Sequence, residues 1–249
     1  MAAPTITLLT DFGTADGYVA ELKGVLVSLA PEARLVDATH EIPPQDVESA
    51  RLTLARYWRR FPAGTVHLAV VDPGVGSARA ALAVESDGRF LVGPDNGLLS
   101  PALLIPGVRV VQLPMPSSAS RTFHGRDVFA PAAAALATGS SLAELGSPFD
   151  GPVVRRTAPV RQRPDGSAEG EVLAVDRFGN AITNLIARSG TYEVGGRYVR
   201  LVRAYADATD GEPVALAGSS GLVEIAVRDG NAAARLALTR GMPVVHHPA

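Results

Sequence analysis

The chain has 249 residues, enough for one large domain or two smaller ones with real cores, and 47% of it is apolar. Its net charge of −2 gives whole-chain electrostatics no basis for binding nucleic acid or an anionic membrane. Cysteine is absent, which excludes disulfides, thiolate nucleophiles, zinc–thiolate centres and Fe–S clusters, and Lys23 is the only lysine, on an amphipathic pattern that argues against Schiff-base chemistry.

The first 150 or so residues alternate between strand-like and helix-like patterns, which predicts an α/β sheet. Ile6–Thr10 is a short apolar strand that runs into Asp11-Phe12-Gly13. No leader-like segment precedes it and no window approaches ~18 uninterrupted apolar residues, so a cytoplasmic protein is expected. Val19, Leu22, Val25, Leu26 and Leu29 recur at helical spacing until Pro31. Arg34–Asp37 reads as a strand, and Val47, Ala50, Leu54, Tyr57 and Trp58 mark a second helix. Val66–Val71 is a strand with the apolar content of a buried position, followed by a hairpin around Asp87-Gly88 and a strand at Arg109–Leu113. Asp127–Thr138 is an alanine-rich helix with Pro131 near its first turn and Gly139 at its end.

From Pro148 to Gly170 the periodicity disappears among prolines and arginines. The predicted organisation is an N-terminal α/β domain over residues 1–155, a linker over 156–169 and a second domain over 170–249. The second domain reads as short strands and turns: Glu171–Val175, Ala181–Ile186, Tyr198–Val202, Val214–Leu216, Leu222–Val227 and Pro243–Val245. That pattern predicts a small sandwich or barrel, with His246 and His247 in a solvated tail.

The richest chemistry lies in His67-Leu-Ala-Val-Val-Asp72-Pro-Gly-Val-Gly-Ser-Ala-Arg79 and in Thr122-Phe-His124-Gly-Arg-Asp127. An acid ends a strand, where open α/β sheets place ligand groups, and Arg79 and His124 could complete a cluster that polarises water. Asp72-Pro-Gly is equally a strong turn former. Gly74-Val75-Gly76 starts like a dinucleotide fingerprint, but Arg79 stands at the third glycine position and no clear helix follows. Asp11 can accept ribose hydroxyls or cap its own turn, and Asp16 can cap the first helix.

In the second half, Asp176-Arg-Phe-Gly-Asn180 is either a hairpin turn or a nucleobase site, with Phe178 stacking and Asn180 reading an edge. Gly218-Ser219-Ser220-Gly221 is not a nucleophile elbow, because Leu222 stands at the closing position; it reads as a loop offering hydroxyls and amides. Glu224 is either on an exposed strand face or opposite a ligand ammonium. The histidines have no metal-ligand spacing, so no metal site is expected.

Six segments, in order, resemble the motifs of the adenosyl-transferring family that includes the adenosine-forming S-adenosylmethionine (SAM) hydrolases, the fluorinase and the chlorinase. They are Thr10-Asp-Phe-Gly-Thr14, Val71-Asp-Pro-Gly-Val-Gly76, Gly93-Pro-Asp-Asn-Gly97, Phe123-His-Gly-Arg-Asp127, Asp176-Arg-Phe-Gly-Asn180 and Ser219-Ser-Gly-Leu-Val-Glu224. Each is weak alone, but six in this order, from about Ile6 to Pro243, are highly specific. The resemblance implies an α/β domain with a mainly parallel sheet and a smaller C-terminal β-barrel-like domain. It also implies a homotrimer whose sites lie between the N-terminal domain of one subunit and the C-terminal domain of its neighbour.

By the same resemblance, Asp72, Arg79 and His124 would activate water, Asp11 would bind the ribose and Asp16 would help hold the ligand. Phe123 and Phe178 would line the nucleoside pocket, Asn180 would read adenine, and the backbone near Val227 would approach it. Asp176, Ser219 and Glu224 would hold the methionine portion. The halogenating branch carries a tyrosine in place of Asp72 and lacks the Arg79–His124 pairing, and the fluorinase also inserts a loop after the first strand block and has a tryptophan in place of Gln45. The implied reaction is therefore hydrolysis of SAM to adenosine and L-methionine, with no metal or cofactor besides the substrate. The alternatives are a chlorinase-like halide adenosyltransferase and a non-catalytic SAM or adenosine sensor.

Overall fold

Strands whose residues are apolar throughout need cover on both faces, and the first half of the chain supplies helices for each. The computed structural model describes residues 3–249, which divide into one compact unit ending at Arg156 and another beginning at Thr157.

In the N-terminal unit the elements run β1 (Thr5–Thr10), α1 (Tyr18–Leu29), β2 (Arg34–Thr39), α2 (Val47–Tyr57), β3 (Val66–Val70), β4 (Ala81–Ser86) and β5 (Arg89–Pro94). They continue with α3 (Ser100–Leu103), β6 (Arg109–Gln112), α4 (Ala130–Ala137), α5 (Leu142–Leu145) and β7 (Ser147–Pro148). The sheet order is β2-β1-β3-β5-β4-β6-β7. It is parallel from β2 through β5 and continued by antiparallel β4, β6 and β7. All five residues of β3 are buried. Val66, Leu68 and Val70 face a core with Leu22, Leu26, Phe129 and Ala133, whereas Ala69 and Val71 face Leu54, Trp58 and Leu98. Alternate residues of one strand thus build two cores.

The β4–β5 hairpin turns through Asp87 and Gly88, both at positive φ (49° and 70°), the two-residue geometry that Asp-Gly favours. The alanine-rich helix begins earlier than its sequence suggests. A widened π turn over Gly125–Phe129 leads directly into α4, so the helical segment starts at the residue after His124.

The C-terminal unit contains β8 (Arg161–Gln162), β9 (Ala168–Val175), β10 (Ala181–Ile186), β11 (Gly190–Val194), β12 (Arg197–Val202), β13 (Pro213–Ala217), β14 (Leu222–Val227), α6 (Ala232–Leu236) and β15 (Pro243–Pro248). The strands run β10-β14-β13-β12-β11-β15-β9, and pairing of β9 with β10 closes a seven-stranded barrel. Closure leaves no open edge among those seven strands. Tyr192, Val194, Val223, Ile225 and Val244 fill the interior.

Two sequence expectations need correction here. The stretch 156–169 is not a bare linker: Arg161 and Gln162 pair with Glu169 and Ala168, so it holds β8 and the start of β9. His246 and His247 are not a solvated tail but part of β15, which pairs with β11 and β9. The His246 ring is buried, lies 5.0 Å from that of Tyr192, and places Nε2 2.9 Å from the Ser189 carbonyl. Strand pairing with residues 50 to 80 positions away is invisible to a local pattern.

Candidate active site

Parallel pairing sets the site's first coordinates. Thr10 lies opposite Val70 in the β1–β3 register, so Asp11 and Asp72 emerge at the same carboxyl edge of adjacent strands. Asp11 Oδ2 accepts the Gln45 N–H at 2.7 Å, and Gln45 takes a left-handed φ of 65° there. Asn96 secures the end of β3: its Nδ2 donates to the Val71 carbonyl at 2.8 Å, one residue before Asp72. The approach of β5 to β3 requires Gly93, since a Cβ there would lie 2.3 Å from the Ala69 carbonyl oxygen. The Gly93–Gly97 motif therefore braces the strand that carries Asp72.

Asp72, Arg79 and His124 come together. Arg79 Nε donates to Asp72 Oδ1 at 2.9 Å, and its Nη2 donates to Asp72 Oδ2, forming a fork on the carboxylate. The same Nη2 donates to His124 Nδ1 at 2.9 Å. Asp72 and Arg79 side chains are only 6% and 10% exposed, so this charge pair is largely withdrawn from water. The guanidinium also lies over the Phe129 ring, 5.1 Å from its centroid.

A guanidinium can only donate, so His124 Nδ1 must accept and the neutral ring carries its proton on Nε2. Burial, and then the Arg79 charge, hold the His124 pKa below the ordinary imidazole value, against the opposing pull of Asp72 and Asp127. The triad thus combines a carboxylate, a cation spent largely on its two neighbours, and an imidazole N–H donor.

The glycines of Val71–Gly76 serve this closure. A Cβ at Gly74 would lie 3.3 Å from Arg79 Cγ, so the bare backbone there leaves the Arg79 stem its room beside Asp72. At Gly76 (φ 76°) a Cβ would lie 2.4 Å from the Arg121 carbonyl oxygen. That close approach holds the loop leading to His124 against the Asp72 turn. Beyond His124, Arg126 bonds both Asp127 and Glu21 on α1, and Asp127 accepts the Ser120 N–H at 2.8 Å. Phe123 meets Phe12 and Tyr18 edge-to-face, at 5.7 and 5.5 Å, making an aromatic wall with Tyr18 half exposed. Asp16 is exposed, and Gly17, without a side-chain bond, occupies the N-cap of α1, so Asp16 is not that helix's cap.

The second cluster lies in the C-terminal unit. Asp176 Oδ1 accepts the N–H groups of Phe178 and Asn180, at 2.9 and 2.8 Å, and Oδ2 accepts Asn180 Nδ2 at 3.0 Å. This tightly bonded turn leaves Phe178 projecting, 76% exposed. Asn180 is buried and Nδ2 also reaches Tyr205 Oη, at 3.2 Å. Glu224 is not on an exposed strand face: it is 8% exposed and folds beneath Gly218, where a Cβ would lie 2.0 Å from its Oε1. Ser219 is exposed in the β13–β14 turn. Val227 is buried at the end of β14, and its carbonyl accepts the Gly230 N–H at 3.1 Å. Among the described residues no group of three or more His, Asp or Glu side chains is arranged to hold a metal.

Sequence reasoning assigned no role to two residues of these clusters. Asn96 was signalled only by its place in Gly-Pro-Asp-Asn-Gly after an apolar strand, and Tyr205 by nothing, since it sits in a short 3₁₀ turn outside any periodic segment.

A carboxylate, guanidinium and imidazole hydrogen-bonded together at the carboxyl edge of a parallel sheet, in a chain that also carries a closed barrel, define a two-unit α/β-plus-barrel protein. The family described as SAM hydroxide adenosyltransferase matches through its N-terminal domain over residues 6–146 and its C-terminal domain over residues 170–245. The chain belongs to that family. It is 46% identical over 253 residues to an (R)-S-adenosyl-L-methionine hydrolase of Thermus thermophilus, covering 96% of this chain and 98% of the relative. It is 28% identical over 289 residues to a fluorinase of Actinopolyspora mzabensis, covering 97% and 96% of the two chains. A crystal structure of a conserved protein from Thermotoga maritima superposes with a TM-score of 0.88 at 32% identity, covering 96% of this chain and 98% of that one.

Proposed function

We propose that the protein hydrolyses S-adenosyl-L-methionine to adenosine and L-methionine by attack of water on C5′. The observation that carries this reading is the Arg79 fork, which holds Asp72 and, through the same nitrogen, His124. A fixed carboxylate with an adjacent N–H donor suits a water molecule, whereas a halide would be repelled by Asp72. In the proposed step the water oxygen forms a bond to C5′ opposite the C5′–S bond. That bond's electron pair passes to sulfur, turning the sulfonium into the methionine thioether. Asp72 receives the hydrogen bond and then the proton of the attacking water, and His124 Nε2–H orients its oxygen. The leaving group is already cationic, so the chemistry calls for no metal, cofactor or general acid. Alignment is the main need, and it can supply roughly 7–11 kcal/mol in favourable cases.

The remaining roles follow the family resemblance. Asp11 takes the ribose hydroxyls, and Asp16, Asp176, Ser219 and Glu224 hold the rest of the ligand. Phe123 and Phe178 flank the nucleoside, and Asn180 with the backbone at Val227 reads adenine. The exposed Phe178 ring supports a stacking role. A homotrimer whose sites draw on neighbouring copies belongs to the same proposal, as does a cytoplasmic location. Light scattering and cell fractionation check these two.

The test is incubation with SAM in H₂¹⁸O with chloride present, followed by mass spectrometry. Label at the adenosine 5′-oxygen is expected. 5′-Chloro-5′-deoxyadenosine would move the protein to the halogenating branch, and tight SAM binding without product would make it a sensor.

A further inference from the structure

Asp11 sits at the centre of a turn that one buried histidine holds from both sides. Thr10 is fully buried, and its hydroxyl oxygen accepts the Phe12 N–H at 3.3 Å, which folds the backbone around Asp11. The same hydroxyl lies 2.8 Å from Nδ1 of the buried His40, whose Nε2 faces Asp37 Oδ1 at 3.1 Å. Against the upward push of burial, Lys23, 2.6 Å from Asp37 Oδ2, and then His40 hold the Asp37 pKa below the ordinary carboxylate value, so an anion faces the ring. A carboxylate only accepts, so in the neutral ring Nε2 carries the hydrogen and Nδ1 accepts the Thr10 hydroxyl hydrogen, which leaves a Thr10 lone pair for Phe12. The His40 carbonyl accepts the Gly13 N–H at 2.8 Å, where Gly13 takes a left-handed φ of 65°. One residue thus stitches the turn after β1 to the segment after β2 that delivers Gln45, whose N–H holds Asp11 Oδ2 at 2.7 Å. With Oδ2 pinned, the direction of Oδ1 depends on where the turn sets the Asp11 backbone.

We infer that His40 is a positioning residue for the ribose: through Thr10 and Gly13 it sets the turn that aims Asp11 Oδ1 at the sugar hydroxyls, with Asp37 and Lys23 fixing the ring behind it. The inference rests on the proposed reading that Asp11 takes those hydroxyls. The relay acts on geometry, through the backbone on either side of Asp11. Removing the Thr10 hydroxyl leaves the Phe12 N–H and His40 Nδ1 without that partner, at a position closed to water, and the turn relaxes to find others. Asp11 then keeps its charge and its Gln45 bond but presents Oδ1 off line, and hydrogen bonds weaken steeply with misalignment. The loss falls chiefly on the ribose hydroxyls, because Asn180, Phe178 and the groups proposed to hold the methionine portion stand on other elements.

The experiment is calorimetric titration of the full-length assembled protein with adenosine and with 2′,3′-dideoxyadenosine, which lacks both hydroxyls, alongside SAM turnover in the same preparations. Wild type is expected to prefer adenosine by at least about tenfold, the worth of a charge-assisted hydrogen bond. Thr10→Val keeps the volume and removes the hydroxyl, and should bring that preference to within a few-fold of unity while dideoxyadenosine affinity holds. Thr10→Ser keeps the hydroxyl on a smaller side chain and should retain the preference. His40→Phe should match Thr10→Val, and the two combined should lose no more than either alone, since both break one relay. A wild-type preference in Thr10→Val or in His40→Phe would overturn the inference. So would equal weakening of both nucleosides, the mark of a merely structural role, or equal loss in Thr10→Ser, which would trace the effect to packing. Asp11→Ala separates the underlying reading: a preference that survives there defeats the ribose role of Asp11 and the inference with it. A preference lost there but kept in Thr10→Val overturns the positioning role alone. Preference lost in Thr10→Val, in a protein that forms no adenosine from SAM, would sustain the inference and defeat the hydrolysis reading instead.

Discussion

Replacing Asp72 with asparagine keeps the shape of the side chain and removes its charge. In the wild type both carboxylate oxygens accept from Arg79, with the two side chains 6% and 10% exposed. Asparagine offers one acceptor, and its NH₂ group would confront an Arg79 N–H, leaving two donors opposed and a nearly buried guanidinium without its counter-charge. Breaking a buried pair in this way costs about 3–5 kcal/mol, of which the lower end suits a site at the sheet edge. At roughly 2–4 °C per kcal/mol for a chain of this size, the melting temperature should fall by roughly 6–12 °C. Turnover should fall further than folding alone explains, by roughly 10²–10⁴ at temperatures where the variant stays folded, the usual worth of a positioned acid–base group. SAM affinity should change little, because the lost interaction belongs to the reacting water. Thermal unfolding, single-turnover kinetics at saturating SAM and calorimetric SAM titration read the three quantities. Wild-type turnover in Asp72→Asn would remove Asp72 from the chemistry, and an unchanged melting temperature would refute the buried fork.

The pKa of His67, buried in β3 with Nδ1 2.8 Å from Thr7 Oγ1, is pushed down to about 4, by burial first and then by the Arg89 charge. Between the ordinary value of 6.5 and 4 the unfolded chain therefore binds a proton that the folded chain refuses. Its contribution is intact above pH 6.5 and is lost as pH falls through that window, by about 3 kcal/mol in total. Urea unfolding from pH 7.5 to 4.5 should show a shallower pH slope in His67→Gln than in wild type; parallel slopes would contradict this. Burial and the Arg79 charge hold the His124 pKa below the ordinary imidazole value of 6.5, so the acid limb of kcat should have its midpoint below that value. A midpoint above 6.5 would be incompatible with an imidazole that accepts from Arg79. Gly76→Ala forces a side chain onto a left-handed φ and against the Arg121 carbonyl. It should cost at least about 1–2 kcal/mol in chemical denaturation and lower turnover by displacing His124, and wild-type behaviour in both would show that the close approach is dispensable.

Local chemistry made much of this protein legible from its residues. Apolar runs ending at Asp11 and Asp72, the Asp87-Gly88 hairpin and the stop at Pro31 all depend on a few adjacent residues, and so do the Asp176–Asn180 turn and the alternation of strands and helices. The same locality explains the errors. His246 and His247 look like a tail until β11 and β9 pair with them. The prolines and arginines after Pro148 look like a linker until Ala168 and Glu169 give two of those residues a partner.

The order of the six motifs identified the family, but their geometry is a tertiary product. Arg79 and His124 are 45 positions apart, and only a folded sheet edge decides that one nitrogen of Arg79 bridges Asp72 and His124. Gly74 and Gly76 start like a dinucleotide fingerprint in sequence, whereas in the fold their missing side chains leave room for Arg79 and for the Arg121 carbonyl beside that cluster. The sequence determined which donors and acceptors this protein possesses. The tertiary structure decided which are already spent on one another and which remain for a ligand, because hydrogen-bond direction depends on partners that only the folded chain brings within 3 Å or so.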